Sequence, residues 1–448
     1  MAAASPRPRS RFPFLFWLVV IFEFFERGSY YGVMSIFSVY LTDHLGFAKG
    51  DVGLIKGTIQ PLLYFLPIFT GALADRFGYR RTLLVAFGLL GGGYLLTSQA
   101  TGYTAVFLSL VVMAIGAGTF KPVISGTIAR TTDQTNSTLG FGIFYWSINL
   151  GAFLFPLILV PYVKNNIGWE WVIVAAAIGT GALLIPTALF FKEPPRPATA
   201  PSGPKKDLWR TLTDAAELLY SPLVLLFQRS PHPRFKEHWR FLLMIFIYSG
   251  FWVLYFQMFD SVLWYVRDYV DASSLNDAVN SVLGAMGISY QWYFDIEHVT
   301  VINAGTIILL QLFISNIVKD KAAMPTMIAG IIMGTAGMAI LAISTNIWVF
   351  IVGTVIFSIG EMTAHPKFIS YVGQTAPQDK VAMYMGYLFL YGVIGSSIGG
   401  ILGANLYVLF VDELHQPATL WLIFSGIGVV TVAGLLAYNR AYGQKANT

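Results

Sequence analysis

The chain has 448 residues, of which 56% are hydrophobic and only 11% charged, with a formal charge of +5 and no cysteine. Soluble domains carry roughly 25% charged residues, so the composition excludes a soluble protein and reads as an integral membrane protein. The missing cysteines exclude disulfides and thiol chemistry.

Twelve apolar segments reach the ~20 residues needed to cross a bilayer. They lie near 13–41, 52–75, 82–99, 104–129, 140–163, 169–191, 239–265, 298–318, 325–344, 348–372, 382–409 and 417–438. They predict an all-α membrane protein of two six-helix bundles, 1–191 and 239–448, joined by a linker over 192–238. The linker opens with Pro194, Pro195, Pro197, Pro201 and Pro204, a stiff extended run. From Asp207 to Tyr220 it is amphipathic and reads as a helix lying on the membrane surface.

The first segment is too long and too charged for a signal peptide and is expected to stay in the mature protein. It carries Glu23, Glu26 and Arg27 amid aromatic and aliphatic neighbours. Ionised groups at such depth cost at least ~2.5 kcal/mol each, so they usually face a polar cavity. Glu23, Glu26 and Tyr30 fall on one helical face, and Glu23–Arg27 is an i, i+4 pair in the favourable order. An ion pair that merely fixes helix packing would leave the second glutamate unexplained. A spare carboxylate beside an arginine suits proton exchange or a charged solute.

Between the second and third segments lies Gly71-x-x-x-Asp75-Arg76-x-Gly78-x-Arg80-Arg81, with an eroded counterpart, Lys319-Asp320-Lys321, between the eighth and ninth. Lysine and arginine crowd the loops after even-numbered segments, whereas Asp268, Asp271, Asp277 and Asp295 mark an opposite loop. The positive-inside rule then puts both termini in the cytoplasm of a plasma or inner membrane. The +5 charge is this bias, not a nucleic-acid footprint. Deep in the fourth segment, Lys121 sits beside Pro122, which frees a carbonyl and bends the helix. A buried ammonium there needs a carboxylate or a solute anion; a purely structural lysine–glutamate lock is the plainer alternative. Glu361 is a carboxylate deep in the second half, with a packing pair to Lys367 or His365 as its plainer explanation.

The paired halves and the loop of Asp75 and Arg76 resemble the major facilitator superfamily, whose signature loop latches the cytoplasmic side. Further stretches resemble the proton-dependent oligopeptide transporter family within it. They are Glu23-x-x-Glu26-Arg27-x-x-Tyr30-Tyr31-Gly32, Gly116-x-Gly118-x-x-Lys121-Pro122-x-x-Ser125 and Phe144-Tyr145-x-x-Ile148-Asn149-x-Gly151. Leu63-Tyr64-x-x-Pro67, Phe251-Trp252 with Gln257, Ile302-Asn303, Gly360-Glu361 with Pro366, Ala376-Pro377 and Met385-Gly386 continue the match in order. The resemblance implies a twelve-helix secondary transporter for di- and tripeptides or peptide-like solutes, coupled to protons and without another cofactor. It assigns Glu23, Glu26, Arg27 and Lys121 to proton coupling. It assigns Arg27, Tyr30, Tyr31, Tyr64, Lys121, Asn149, Asn303 and Glu361 to the solute, Glu361 holding the peptide's amino end.

Three positions depart from the pattern. Gly28 stands where the family has phenylalanine, a change expected to matter little. Met34 and Phe256 replace the arginine and glutamate of a gating ion pair, so that gate is expected to close on apolar contact. The same loss puts proton coupling in question, with Asp260 as a substitute carboxylate or merely a vestibule lining. The rivals are a carrier of another anion such as nitrate, an uncoupled facilitator and a non-transporting receptor on the same fold. No nucleophile–base pair or metal cluster suggests an enzyme.

Overall fold

A computed structural model of the protein describes residues 11–133, 136–194, 209, 210, 213, 233–375 and 387–442. The expected surface helix over 207–220 lies largely outside the described residues, as do Ala376-Pro377 and Met385-Gly386. Every described regular element is a helix, apart from one isolated bridge between Asp271 and Asn346.

Among the described residues, eleven helices are long and apolar enough to cross a membrane. The twelfth span is the first helix, Phe14–Met34, as long as several others but interrupted by Glu23, Glu26 and Arg27. Spans 2 to 4 are Lys49–Phe77, Tyr79–Gln99 and Tyr103–Thr131; spans 5 and 6 are Leu139–Asn166 and Trp169–Phe190. Span 7 is Pro233–Phe256 with a broken continuation to Tyr269. Spans 8 to 12 are His298–Val318, Ala323–Ile340, Ile347–Thr375, Leu390–Glu413 and Pro417–Tyr442. A short amphipathic helix, Ser273–Ala285, stands in the loop after span 7 and was not signalled by length or hydropathy. Many large apolar side chains point outward, such as Leu309 at 79% and Leu312 at 85% exposure, as a hydrocarbon surrounding requires. The chain is therefore a multi-pass integral membrane protein.

The chain forms two compact units, and their border is not the linker alone. One comprises Met1–Val33 and Phe65–Glu217; the other comprises Met34–Tyr64 and Leu218–Thr448. In the first, span 3 packs on spans 4 and 6. In the second, span 9 packs on spans 10 and 12, and span 7 on span 11. The segment 34–64 joins the second unit because span 2 meets span 11 backbone to backbone. A Cβ on Gly400 would lie 2.7 Å from the Gly57 nitrogen, and one on Gly57 2.7 Å from Ile401. Such small-residue crossings are how membrane helices gain contact without a hydrophobic driving force.

Two interruptions of helices are locally repaired. Pro122 cannot donate to the Gly118 carbonyl four residues earlier; that carbonyl instead accepts the Thr70 hydroxyl of span 2 at 2.8 Å. Span 7 breaks at Asp260, with φ −129° and ψ −96° between a turn of 3₁₀ helix and the next helix. The Phe259 carbonyl freed there accepts from Lys56 Nζ at 2.5 Å and from Ser38 Oγ at 2.8 Å.

Candidate functional site

In the first unit, span 1 carries a buried charge cluster. Glu23, Glu26 and Arg27 are 4%, 0% and 6% exposed. The Arg27 guanidinium donates from Nη2 to Glu26 Oε1 at 2.5 Å and from Nε to the other Glu26 oxygen, with Glu23 Oε1 at 3.7 Å. Arg27 also lies over the Tyr30 ring, 5.0 Å from its centre. Lys121 of span 4 is half-buried and close enough to feel the charges of Arg27, Glu26 and Glu23. Two carboxylates and two cations are thus gathered in one electrostatic neighbourhood. Arg27 engages Glu26 with two donors, leaving Glu23 more loosely held. Tyr94 of span 3 belongs here too: it is buried, it feels Glu26, Arg27 and Tyr30, and its hydroxyl has no hydrogen-bond partner among the described residues.

The fit of span 1 to span 5 explains one departure from the family pattern. A Cβ on Gly28 would lie 2.5 Å from the Phe155 ring, and one on Gly151 2.6 Å from the Phe24 carbonyl oxygen. The Phe155 ring fills the space that a side chain at position 28 would take. Gly28 is therefore a helix-crossing point, not the minor change expected. Tyr30 and Tyr31 are half-buried beside this cluster, whereas Asn149 turns its amide to its own helix, donating to the Tyr145 carbonyl at 2.9 Å.

In the second unit, Asn303 of span 8 donates to Glu361 Oε2 at 3.1 Å and to Ser358 Oγ at 2.9 Å. Asn303 thus holds the Glu361 carboxylate by a side-chain hydrogen bond. Glu361 has neither of its suggested packing partners. His365 meets the Tyr248 hydroxyl at 3.3 Å, and Lys367 donates to the Lys319 and Lys321 carbonyls at 3.2 and 2.7 Å. Around His365 lie Trp252 and Tyr391, with ring centres 5.1 and 5.4 Å away, and Tyr248 stacks on Phe368 at 3.8 Å. Tyr64 belongs to this aromatic group, with Tyr391 and Phe256 each 6.2 Å away.

The expected gate residues Met34 and Phe256 are both buried, at 5% and 3% exposure. Apolar contact is not the whole of that region. Lys56 of span 2 and Asp260 of span 7 form an ion pair, each side chain only 3% exposed. Lys56 also donates to Ser38 Oγ at 2.8 Å, and Ser38 Oγ lies 3.1 Å from Asp260 Oδ1. The remaining carboxylate oxygen, Oδ2, is buried without a hydrogen-bond partner among the described residues. Asp260 thus pairs across spans and does not merely line a vestibule. Nearer the loops after spans 1, 7 and 11, a second, wetter tier runs from Asp43 through Arg267 to Asp268. It continues by the Tyr407 hydroxyl, which donates to Asp268 at 3.0 Å, to Lys49 over the Tyr407 ring at 4.3 Å and on to Asp412 at 2.6 Å.

At the other ends of the spans, Asp75 pairs with Arg130 of span 4 at 2.8 Å, and Arg130 lies over the Tyr79 ring at 4.2 Å. Arg76 lies over Phe77 at 5.3 Å. The first turn of span 3 is capped by the Glu193 carboxylate, which accepts from the Tyr79 and Arg80 amides at 3.0 and 2.9 Å.

Lys56, Ser38, Tyr94, Phe155 and Tyr248 were not singled out from sequence. Only Lys56 carried a signal, as a charge among the apolar residues of span 2. Among the described residues, no group of three or more histidine, aspartate or glutamate side chains could hold a metal ion.

Comparison with known proteins matches residues 17–294 to the model of the Major Facilitator Superfamily. The dipeptide and tripeptide permeases A of Klebsiella pneumoniae (strain 342) and Escherichia coli (strain K12) are each 25% identical to the chain. In both cases 94% of this chain and 90% of the relative are covered. Among solved structures, a POT family transporter in complex with a thioalcohol-conjugated peptide superposes with a TM-score of 0.76 at 21% identity. It covers 97% of this chain and 96% of its own. The peptide transporter POT in complex with sulfate superposes with a TM-score of 0.77 at 18% identity, over 97% of both chains. The chain belongs to the major facilitator superfamily, and its likeness within it is to the proton-dependent oligopeptide transporters.

Proposed function

We propose that the protein is a secondary active transporter that imports di- and tripeptides, or peptide-like solutes, together with protons by alternating access. Both termini lie in the cytoplasm, and the two-tier ionic lock of Asp260 and Asp412 belongs to the outer face. The observation that carries this reading is the division of charge. One unit holds two cations with two carboxylates, and the other holds Glu361, oriented by Asn303 and lacking a cationic partner among the described residues. Arg27 and Lys121 take the peptide carboxylate, and Glu361 takes the ammonium end. Tyr30, Tyr31 and Tyr64 supply amphipathic walls, and Asn149 is available to the peptide backbone when it leaves its own helix. Glu23 and Glu26 exchange the proton, since protonating either loosens the grip on Arg27 and lets the guanidinium turn to the solute. Asp75 and Arg76 belong to the cytoplasmic latch. No covalent step and no cofactor beyond the proton is needed.

The likeness to named dipeptide and tripeptide permeases supports this reading. A carrier of nitrate or another simple anion would use Arg27 and Lys121 but has no use for an oriented Glu361. Uptake of a labelled dipeptide into proteoliposomes tests the coupling. Accumulation is expected with an acidic exterior and collapses with a protonophore, while Glu26→Gln loses accumulation but keeps counterflow. Equal wild-type uptake with and without the gradient would make the protein an uncoupled facilitator.

A further inference from the structure

Spans 8, 9 and 10 enclose a groove of 430 Å³ within the second unit that no part of the transport reading uses. Ile314, Ile317 and Val318 of span 8, Ala329 and Met333 of span 9 and Ile359 of span 10 line it. The two threonines that line it present no free hydroxyl. Thr326 Oγ1 donates to the Ala322 carbonyl and Thr363 Oγ1 to the Ile359 carbonyl, both at 2.8 Å. The interior therefore suits hydrocarbon. From Ala322 to Met333 along span 9 the groove runs about 16 Å at 1.5 Å per residue, which is about one leaflet of a bilayer core ~30 Å thick.

Its mouth is charged. Lys321 lines the groove end, and Lys319 stands two residues earlier in the same tight turn, with Asp320 between them. Both lysines are exposed, and neither ammonium has an ion-pair partner among the described residues. The turn itself is pinned: the buried Lys367 ammonium holds the Lys319 and Lys321 carbonyls. An apolar slot one leaflet deep with an exposed lysine at its rim, on a turn whose carbonyls are held, matches a phospholipid whose headgroup carries net negative charge.

We propose that this groove is a binding site for an anionic glycerophospholipid, with one acyl chain between spans 8, 9 and 10 and the headgroup phosphate at Lys321. The inference is independent of the solute and of proton coupling. The test is native mass spectrometry of the full chain in mild detergent, titrated with phosphatidylglycerol or phosphatidylcholine. One lysine near an anionic headgroup is worth about fivefold in binding, so wild type should retain phosphatidylglycerol about that much better. Lys321→Gln should abolish the preference while leaving phosphatidylcholine retention as it was. Ala329→Phe, at an exposed position, should fill the groove and lose both lipids with unchanged melting. Equal retention of the two lipids by wild type, or undiminished retention by Ala329→Phe, overturns the proposal. So does a wild-type dimer that carries no lipid and that Ala329→Phe converts to monomer.

Discussion

Replacing Lys56 by methionine keeps the length of the side chain but leaves the Asp260 carboxylate buried with no counter-charge. Among the described residues its other hydrogen-bond partner is Ser38, and one oxygen is already without a partner. Removing one member of a buried pair costs ~3–5 kcal/mol, much of it the burden of the stranded charge. The variant also withdraws the shortest donor to the Phe259 carbonyl at the break in span 7. If the pair holds the outer ends of spans 2 and 7 together, the closed arrangement should weaken by roughly two to three and a half powers of ten, at 1.4 kcal/mol per tenfold. The absence of native cysteine gives a background-free reporter. Met34→Cys is buried in the closed arrangement and should label slowly with an impermeant maleimide applied from outside. In Lys56→Met, and equally in Asp260→Leu, labelling should rise toward the rate of an exposed thiol. The double change Lys56→Met with Asp260→Leu removes both charges and should recover most of the protection, because an apolar replacement of the whole pair can be neutral or stabilising. Wild-type labelling rates in both single variants would refute the idea that this pair is a lock.

The wetter tier behaves differently. Asp412→Asn should change outer labelling by no more than ~0–1 kcal/mol worth of equilibrium, since exposed pairs contribute little, and the effect should vanish at 1 M salt, where screening reaches ~3 Å. That contrast with Lys56→Met separates the two tiers in a salt series. At the crossing of spans 1 and 5, Gly28→Ala should lower thermal stability by the ~1–3 kcal/mol typical of overpacking. Phe155→Ala in the same chain should rescue it, read as recovery of the melting temperature; an additive loss would mean that the ring does not occupy that space.

The spans themselves were legible because hydrocarbon imposes length and apolarity on every one of them. Span 1 shows the limit of that signal: its three charges disqualify it by hydropathy, yet the same charges are what identify the site. Residues that act through a neighbour on the same helix, such as Glu26 with Arg27, could be paired from spacing. Residues that act across the fold could not. Lys56 and Asp260 are 204 positions apart, and nothing near Lys56 announces a partner. Gly28 shows how a departure from pattern misleads when read alone, since its meaning lies in Phe155 on another span. Asn303 shows the same limit: an amide suited to a peptide backbone is also suited to orient a carboxylate, and its 3.1 Å bond to Glu361 could not be read from spacing.

The central claim, recognition of both ends of a short peptide, is tested most directly by a calorimetric binding cycle on purified protein. Free dialanine, its N-acetyl form and nitrate are titrated into wild type and Glu361→Gln. A charged hydrogen bond is worth ~1.5–3 kcal/mol, so acetylation should weaken wild-type binding roughly ten- to a hundredfold. The same acetylation should cost little in Glu361→Gln, where the ammonium's partner is already gone. If acetylated and free dialanine bind wild type equally, or if nitrate alone saturates the site, the peptide reading is contradicted and a simple anion carrier takes its place.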